Sequence, residues 1–460
     1  MRNDIRGLDL TTDSDAAVAA YDDAVGAYFQ YRTSAGAHLK RALEADPAFT
    51  MAQCLRGYFF MLFGSTAFHD KAGAALAAAE SHAEGATWRE TTHIAALRAW
   101  LAGDLAKASA VWDRILVEHP LDLLALRLQH FTVFWMGRSA ELRDAPARVL
   151  DRWDESIPGY GNVLGMHAFG LEECGDYGLA EARGKRAVEI DPDDLWAVHA
   201  VAHVLEMQGR LDDGIDWLDY PSDAWDDRNP FRGHLWWHRA LFFLERGDYE
   251  TVLALYDRSI RSEPSDFYLD IQNAASLLAR LDFCGVDVGD RWRELADHVE
   301  TRLDDHVLAF TDAHAMMALA AENRAGSADR LLSSLRAFGV KADDYEAATM
   351  DPVTIPLCEA LQAYGQGDFD GAVERLLPLR HDLTRIGGSH AQRDVFVQFL
   401  VEAAIRGGRL TLARALLAER TLHKARSHGT WTKYATVLEQ LDDHAGAAAA
   451  RNRAGARPSA

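Results

Sequence analysis

Two histidines four positions apart stand one helical turn apart on the same face and can chelate a single ion. The chain carries this spacing twice in close succession, as His199-x-x-x-His203 and His234-x-x-x-His238. Glu206 falls on the stripe of the first pair, where a carboxylate could complete an open site. His199, His203, Glu206, His234 and His238 are therefore candidate ligands for a divalent metal ion. No Glu directly follows the first histidine, so the zinc-protease helix and its general base are not present here. Without a metal, the same imidazoles could act as general acid and base, or simply pack between helices.

A second candidate is Gly387-Gly388-Ser389-His390. Ser389 is placed to cap a helix, and the two glycines before its start would leave backbone N–H groups free to face an anion. Arg393, three residues past His390, could grip a carboxylate with both arms of its guanidinium. A plain capped glycine turn is the competing reading. No Ser–His–Asp order, Walker loop or dinucleotide fingerprint stands in a convincing context.

The elements that must position these residues announce themselves as repeats. Units of roughly 34 residues place small residues near positions 8 and 20, Gly near 15 and Pro near 32, which is the tetratricopeptide pattern. Gly161–Asp194 has Ala168, Gly175, Ala180, Ala187 and Pro192 in register. The unit from Arg89 has Ala96, Gly103, Ala108 and Pro120; those from Gly233 and His428 match in part. Weaker units begin near Ala16, Thr50, Leu123, Leu195, Phe267, Ala309, Val353 and Asp394. Each helix pair cannot bury its own apolar stripe, so pairs must stack. The expectation is an all-α, tetratricopeptide-type α-solenoid, a right-handed superhelix running continuously over 1–450, with 451–460 as a frayed tail. Asp219–Arg232 and Phe338–Pro356 are expected to be irregular, the second because of its two prolines.

In such a superhelix the first helix of each pair lines the concave face. That face receives Trp196, His199, His203 and Glu206 from one unit, and His234 and Trp237, with His238 beside them, from the next. His93 and Arg127 come from earlier units, and His314, His390 and Arg393 from later ones. A wall of His, Trp, Arg and Glu suits a concave small-molecule or metal pocket better than a peptide backbone. His130 and His167 fall at helix contacts and read as satisfied core histidines; Trp88, Trp112 and Trp431 read as core.

The phrases His199-Ala200-Val201-Ala202-His203, Gly233-His234-Leu235-Trp236-Trp237-His238, Phe310-Thr311-Asp312-Ala313-His314 and Gly387-Gly388-Ser389-His390-Ala391-Gln392-Arg393-Asp394 together resemble the tetratricopeptide repeat protein 38 family over nearly the whole chain. The resemblance implies a cytosolic helical-repeat protein and carries no established activity with it.

Composition narrows the partners. With 48 basic against 70 acidic side chains, the net charge of −22 repels phosphate backbones, so nucleic acid is not expected. No apolar run is long enough to span a bilayer, and no secretory leader is visible, so the expected location is cytoplasmic. Four scattered cysteines read as reduced, buried thiols. Two functions remain: a scaffold whose groove binds a peptide, or an enzyme or receptor whose inner histidines meet a small, anionic molecule. An exposed end helix could also seat a second copy in a homodimer.

Overall fold

Gly-Asp pairs punctuate the chain, and each has the same work to do. Gly103, Gly175, Gly247 and Gly367 take φ between 79° and 83°, the left-handed turn that a side chain resists. Asp104, Asp176, Asp248 and Asp368 follow and accept the first free N–H groups of the next helix. Helix therefore follows helix through a tight reversal. The small residues of the repeat lie where the paired helices touch: Ala96, Ala108, Ala168, Ala180 and Ala240 are all 0–1 % exposed.

The computed structural model describes residues 1–263 and 265–455. It is an all-α, tetratricopeptide-type solenoid of twelve successive helix pairs, with one two-residue β-ribbon near the N-terminus. The first helices begin at Asp15, Thr50, Trp88, Leu123, Tyr160, Leu195, Phe231, Tyr268, Ala309, Ile355, His390 and His428, within four residues of the repeat starts read from sequence. No helix among the described residues is long and apolar enough to cross a membrane.

Three local expectations are corrected. The Pro-rich stretch is mostly helical: Met350–Thr354 forms a π turn that accommodates Pro352, and Pro356 opens Ile355–Gly365, where its missing N–H costs nothing. Trp88 is 44 % exposed, because it sits on the outer rim of its helix, although Trp112 and Trp431 are buried. Cys174 and Cys284 are exposed, at the C-terminal ends of their helices; Cys54 and Cys358 are buried. The last helix, His444–Gly455, covers half of the tail expected to fray; 456–460 lie outside the described residues.

A repeat array ordinarily lets each unit touch only its neighbours. This one also closes on itself. Residues as far as 242 positions apart are hydrogen-bonded along a continuous seam, as Tyr345 N–H is to the Gly103 carbonyl. Thr66 N–H donates to Asp305 at 2.8 Å, the Tyr345 hydroxyl to the Met136 carbonyl at 3.1 Å, His390 N–H to Glu173 at 3.0 Å, and Gly429 N–H to Glu245 at 3.0 Å. Near the start, Asn229 N–H donates to the Tyr31 carbonyl at 2.7 Å. The second turn of the superhelix thus lies on the first, and the concave face becomes an interior.

The seam depends on close backbone approach. At Gly137 φ is +65°, and a Cβ would lie 1.9 Å from the Thr384 carbonyl oxygen. Gly137→Ala is expected to cost at least about 1–3 kcal/mol through backbone strain alone. It should also lower the urea midpoint and speed proteolysis around residues 380–388; an unchanged midpoint and cleavage pattern would mean that the seam is not a stability element.

Candidate metal centre

Leu195–Met207 and Phe231–Arg246 are the two helices that bear the paired histidines. Asp194 caps the first, accepting from the N–H groups of Trp196 and Ala197. Their inner faces meet, and His199, His203, His234 and His238 come together, each offering one nitrogen within 4.8 Å of the other three. All four are 0–3 % exposed.

The ring orientations matter most. His199 Nε2 lies 2.9 Å from His203 Nε2 and 3.1 Å from His234 Nε2. One nitrogen can hold one proton or one lone pair, so it cannot form two good linear hydrogen bonds to two rings of the same kind. The outward nitrogens are oriented instead. His234 Nδ1 faces Asn273 Oδ1 at 2.8 Å, His238 Nδ1 faces Glu206 Oε2 at 3.1 Å, and His203 Nδ1 faces Glu172 Oε2 at 3.5 Å. His199 Nδ1, His203 Nδ1 and His238 Nε2 are buried without a hydrogen-bond partner. Two of the four rings are held from behind, His238 by Glu206 and His234 by Asn273, an arrangement that suits a metal ion. Four nitrogens around a tetrahedral ion of zinc's size would stand about 3.3 Å apart. His199 Nε2 is a few tenths of an ångström closer than that to two of its neighbours, and the remaining pairs lie within 4.8 Å.

Electrostatics point the same way. Burial, followed by the neighbouring imidazoles, pushes His199 and His203 well below the ordinary histidine range, and His238 likewise; burial brings His234 down to about 4. The rings are neutral and their lone pairs are free to bind. Glu172 is fully buried with neither oxygen hydrogen-bonded, and burial, then Glu173 and Glu206, push its carboxyl well above the usual range. Glu172, Glu173 and Glu206 gather behind the histidines, with Arg393 beside Glu173 and Lys424 beside Glu206.

Glu206, expected as a ligand, stands behind His238 and also faces Lys424 Nζ at 3.4 Å, so its place is that of an orienting group. Trp237 stacks on His234, 5.1 Å between ring centres, and donates to Ser276 at 3.1 Å, which turns it away from the interior. His93 is remote from the centre: its nitrogens meet Asp122 and Tyr58, both at 3.0 Å. His314 Nδ1 meets the Phe310 carbonyl at 2.7 Å, behind its own helix. His390 Nε2 donates to the Glu173 carbonyl at 2.8 Å, and Arg393 lies 3.5 Å from the Glu173 carboxylate.

The anion site expected at Gly387-Gly388 is thereby corrected. Ser389 does cap the helix His390–Arg406, but Glu173 itself accepts from its first N–H. The two glycines are there for packing: a Cβ would meet the Trp135 carbonyl oxygen at 2.5 Å or the Phe310 ring at 2.7 Å. Glu172 falls on the inner stripe of its unit, while Glu173, Asn273 and Lys424 were not singled out in the sequence. Asn273 comes from the adjoining unit and Lys424 from a distant one.

Beside the centre lies a cavity of about 1,200 Å³. His199 and His234 reach its lining, together with Arg127, His130 and Trp196. His130 is not a satisfied core histidine: it is 1 % exposed and neither nitrogen has a hydrogen-bond partner.

No family model matches the chain. Among solved structures, a human IFIT1 dimer with PPP-AAAA is similar at 13 % identity and a TM-score of 0.40, covering 97 % of this chain and 95 % of that one. The P58(IPK) TPR domain is similar at 11 % identity and a TM-score of 0.22, covering 80 % and 92 %. Naa15/Naa10 bound to HypK-THB is similar at 17 % identity and a TM-score of 0.25, covering 95 % of this chain and 62 % of that one. The account of the site stands on the geometry above.

Proposed function

We propose that the solenoid interior binds one first-row divalent transition-metal ion through His199, His203, His234 and His238, and that the ion serves a reaction on a small molecule held in the adjoining cavity. The observation that carries this reading is the convergence of four buried imidazole nitrogens, with His238 and His234 held on their outward sides by Glu206 and Asn273. Imidazole ligands suit iron, nickel, copper and zinc. Four of them complete a tetrahedral ion, which would then be structural, but leave positions open on an ion that prefers six. His199 and His234 line the cavity, so an open position could face a substrate.

The closed seam favours a small molecule over a peptide, because a peptide needs an open groove. We also take the chain as one continuous superhelix, since the seam ties early units to late ones, and we place it with the tetratricopeptide repeat protein 38 family on the phrases that resemble it. Elemental analysis of purified protein, beside the His199→Ala/His203→Ala double variant, tests the metal. About one ion per chain in the wild type and under a tenth of that in the variant is the expected result, as loss of two of four ligands implies. A metal-free wild type that also fails to take up iron, nickel, copper or zinc anaerobically sinks the reading.

A further inference from the structure

Arg127 is 7 % exposed and lines the cavity, yet among the described residues no carboxylate pairs with it. It donates to the Tyr31 hydroxyl, and its guanidinium carbon lies 4.3 Å from the centre of the Trp196 ring. Asp194, which caps the inner helix two units on, is already occupied by the Trp196 and Ala197 N–H groups and by Asn162. A buried, unpaired guanidinium is costly, and aromatic stacking offsets only part of that cost. Other unpartnered polar atoms gather at the same end: both nitrogens of His130 and Nε1 of Trp135 and Trp196.

Most of the rest of the lining is apolar and aromatic, with Arg32, Lys40, Glu44, Arg56, Asp266 and Arg302 among its charged members. Tyr28 packs on Phe59 at 5.4 Å between centres, Phe60 on Phe68 at 6.2 Å, and Phe68 on Phe63 at 4.5 Å. Phe63 is 45 % exposed, so this wall runs from the buried end to the surface. At about 1,200 Å³ the cavity exceeds the roughly 300–1,000 Å³ of an ordinary small-molecule site. The lining arginines nearer the outside are mostly spoken for, Arg32 by Asp193 and Asp227 and Arg302 by Asp305; Arg56, half-buried, is not.

We infer that the cavity takes an amphiphilic carboxylate, its anionic head held by Arg127 and its apolar body lying along the aromatic wall towards Phe63. A carboxylate fits one planar guanidinium bidentately. A doubly charged head would need more cations than the buried end supplies. Trp196 lies against Arg127 and also packs, tilted by 40°, on His199 with ring centres 4.9 Å apart, so the head would sit beside the histidine centre. The inference rests on the reading of this cavity as a small-molecule site, and not on the metal.

The test is calorimetry with dodecanoate, dodecanol and acetate on the full chain, repeated on Arg127→Gln, Arg56→Gln and Leu43→Trp, with circular dichroism to verify folding. Dodecanoate should bind wild type about tenfold or more tighter than dodecanol, the margin expected of a charge-assisted contact, and acetate should bind far more weakly. Arg127→Gln should erase the margin between acid and alcohol, Arg56→Gln should keep it, and Leu43→Trp should remove binding of both by filling the wall. Equal affinity for acid and alcohol in wild type, or a margin erased by Arg56→Gln and kept by Arg127→Gln, overturns the inference while leaving a small-molecule cavity. No binding of either chain, nor of neutral Nile red, overturns the inference and the cavity reading together. Should Arg127→Gln fail to fold, the wild-type ratio and the other two variants still decide.

Discussion

Metal at a thousand times its dissociation constant is expected to stabilise the folded chain by about 4 kcal/mol, the linkage value for a ligand that binds only the native state. The reason is local. Without an ion, three Nε2 atoms crowd one another at 2.9 and 3.1 Å, and a buried carboxylate, Glu172, has no partner. An ion supplies what all of them lack. Chemical denaturation with metal and with chelator should therefore separate clearly for wild type and coincide for His199→Ala/His203→Ala. Glu206→Gln leaves the four nitrogens in place and removes only the charge behind His238; it should weaken metal affinity by about 10- to 100-fold, the usual effect of losing an orienting carboxylate. Wild-type curves that coincide with and without metal would remove the ion from the stability of this protein.

The second large effect is expected far from the histidines. Asp122 is 1 % exposed; it accepts from Arg89 at 2.8 Å and from the Ala125 N–H at 2.9 Å, and it faces His93 Nε2 at 3.0 Å. It thus caps Leu123–Trp135, the helix that carries Arg127, and ties it to the preceding unit. Asp122→Ala strands a buried guanidinium and should cost about 3–5 kcal/mol. Burial pushes the Asp122 carboxyl up, but His93 and Arg89 outweigh it and hold it well below the usual carboxylate range. A group depressed in the folded state contributes stability above its unfolded value, about 3.9, and loses it as pH falls below that. The gap between wild type and Asp122→Ala should therefore be full at neutral pH and narrow below about pH 4. A gap under 1 kcal/mol at pH 7, or one that widens in acid, would show that the network does not hold this helix.

Much of the architecture was legible because repeats are a local code. Gly-Asp at each turn and alanine where paired helices touch are short-range requirements, and helix starts followed from them to within four residues. The prolines at 352 and 356 misled because a π turn and a first-turn position can each absorb one. The paired histidines were legible for the same local reason: i, i+4 spacing puts two imidazoles on one face whatever lies opposite.

What lies opposite was not legible. The sequence by itself determined the helix pairs, the inner stripe and the residues on it. Only the tertiary structure decided that the solenoid closes, because the seam joins residues as far as 242 positions apart through contacts with no periodic signal. His93 is held by Tyr58 and Asp122 of the flanking units and His314 by its own helix, while closure gave the anion position at His390 to Glu173. Closure also brought Lys424 to Glu206; Asn273 of the adjoining unit stands behind His234, and Arg127 is buried with no carboxylate partner among the described residues. A stripe says which way a side chain points; which charges and lone pairs it meets there depends on units that the chain reaches only after a full turn.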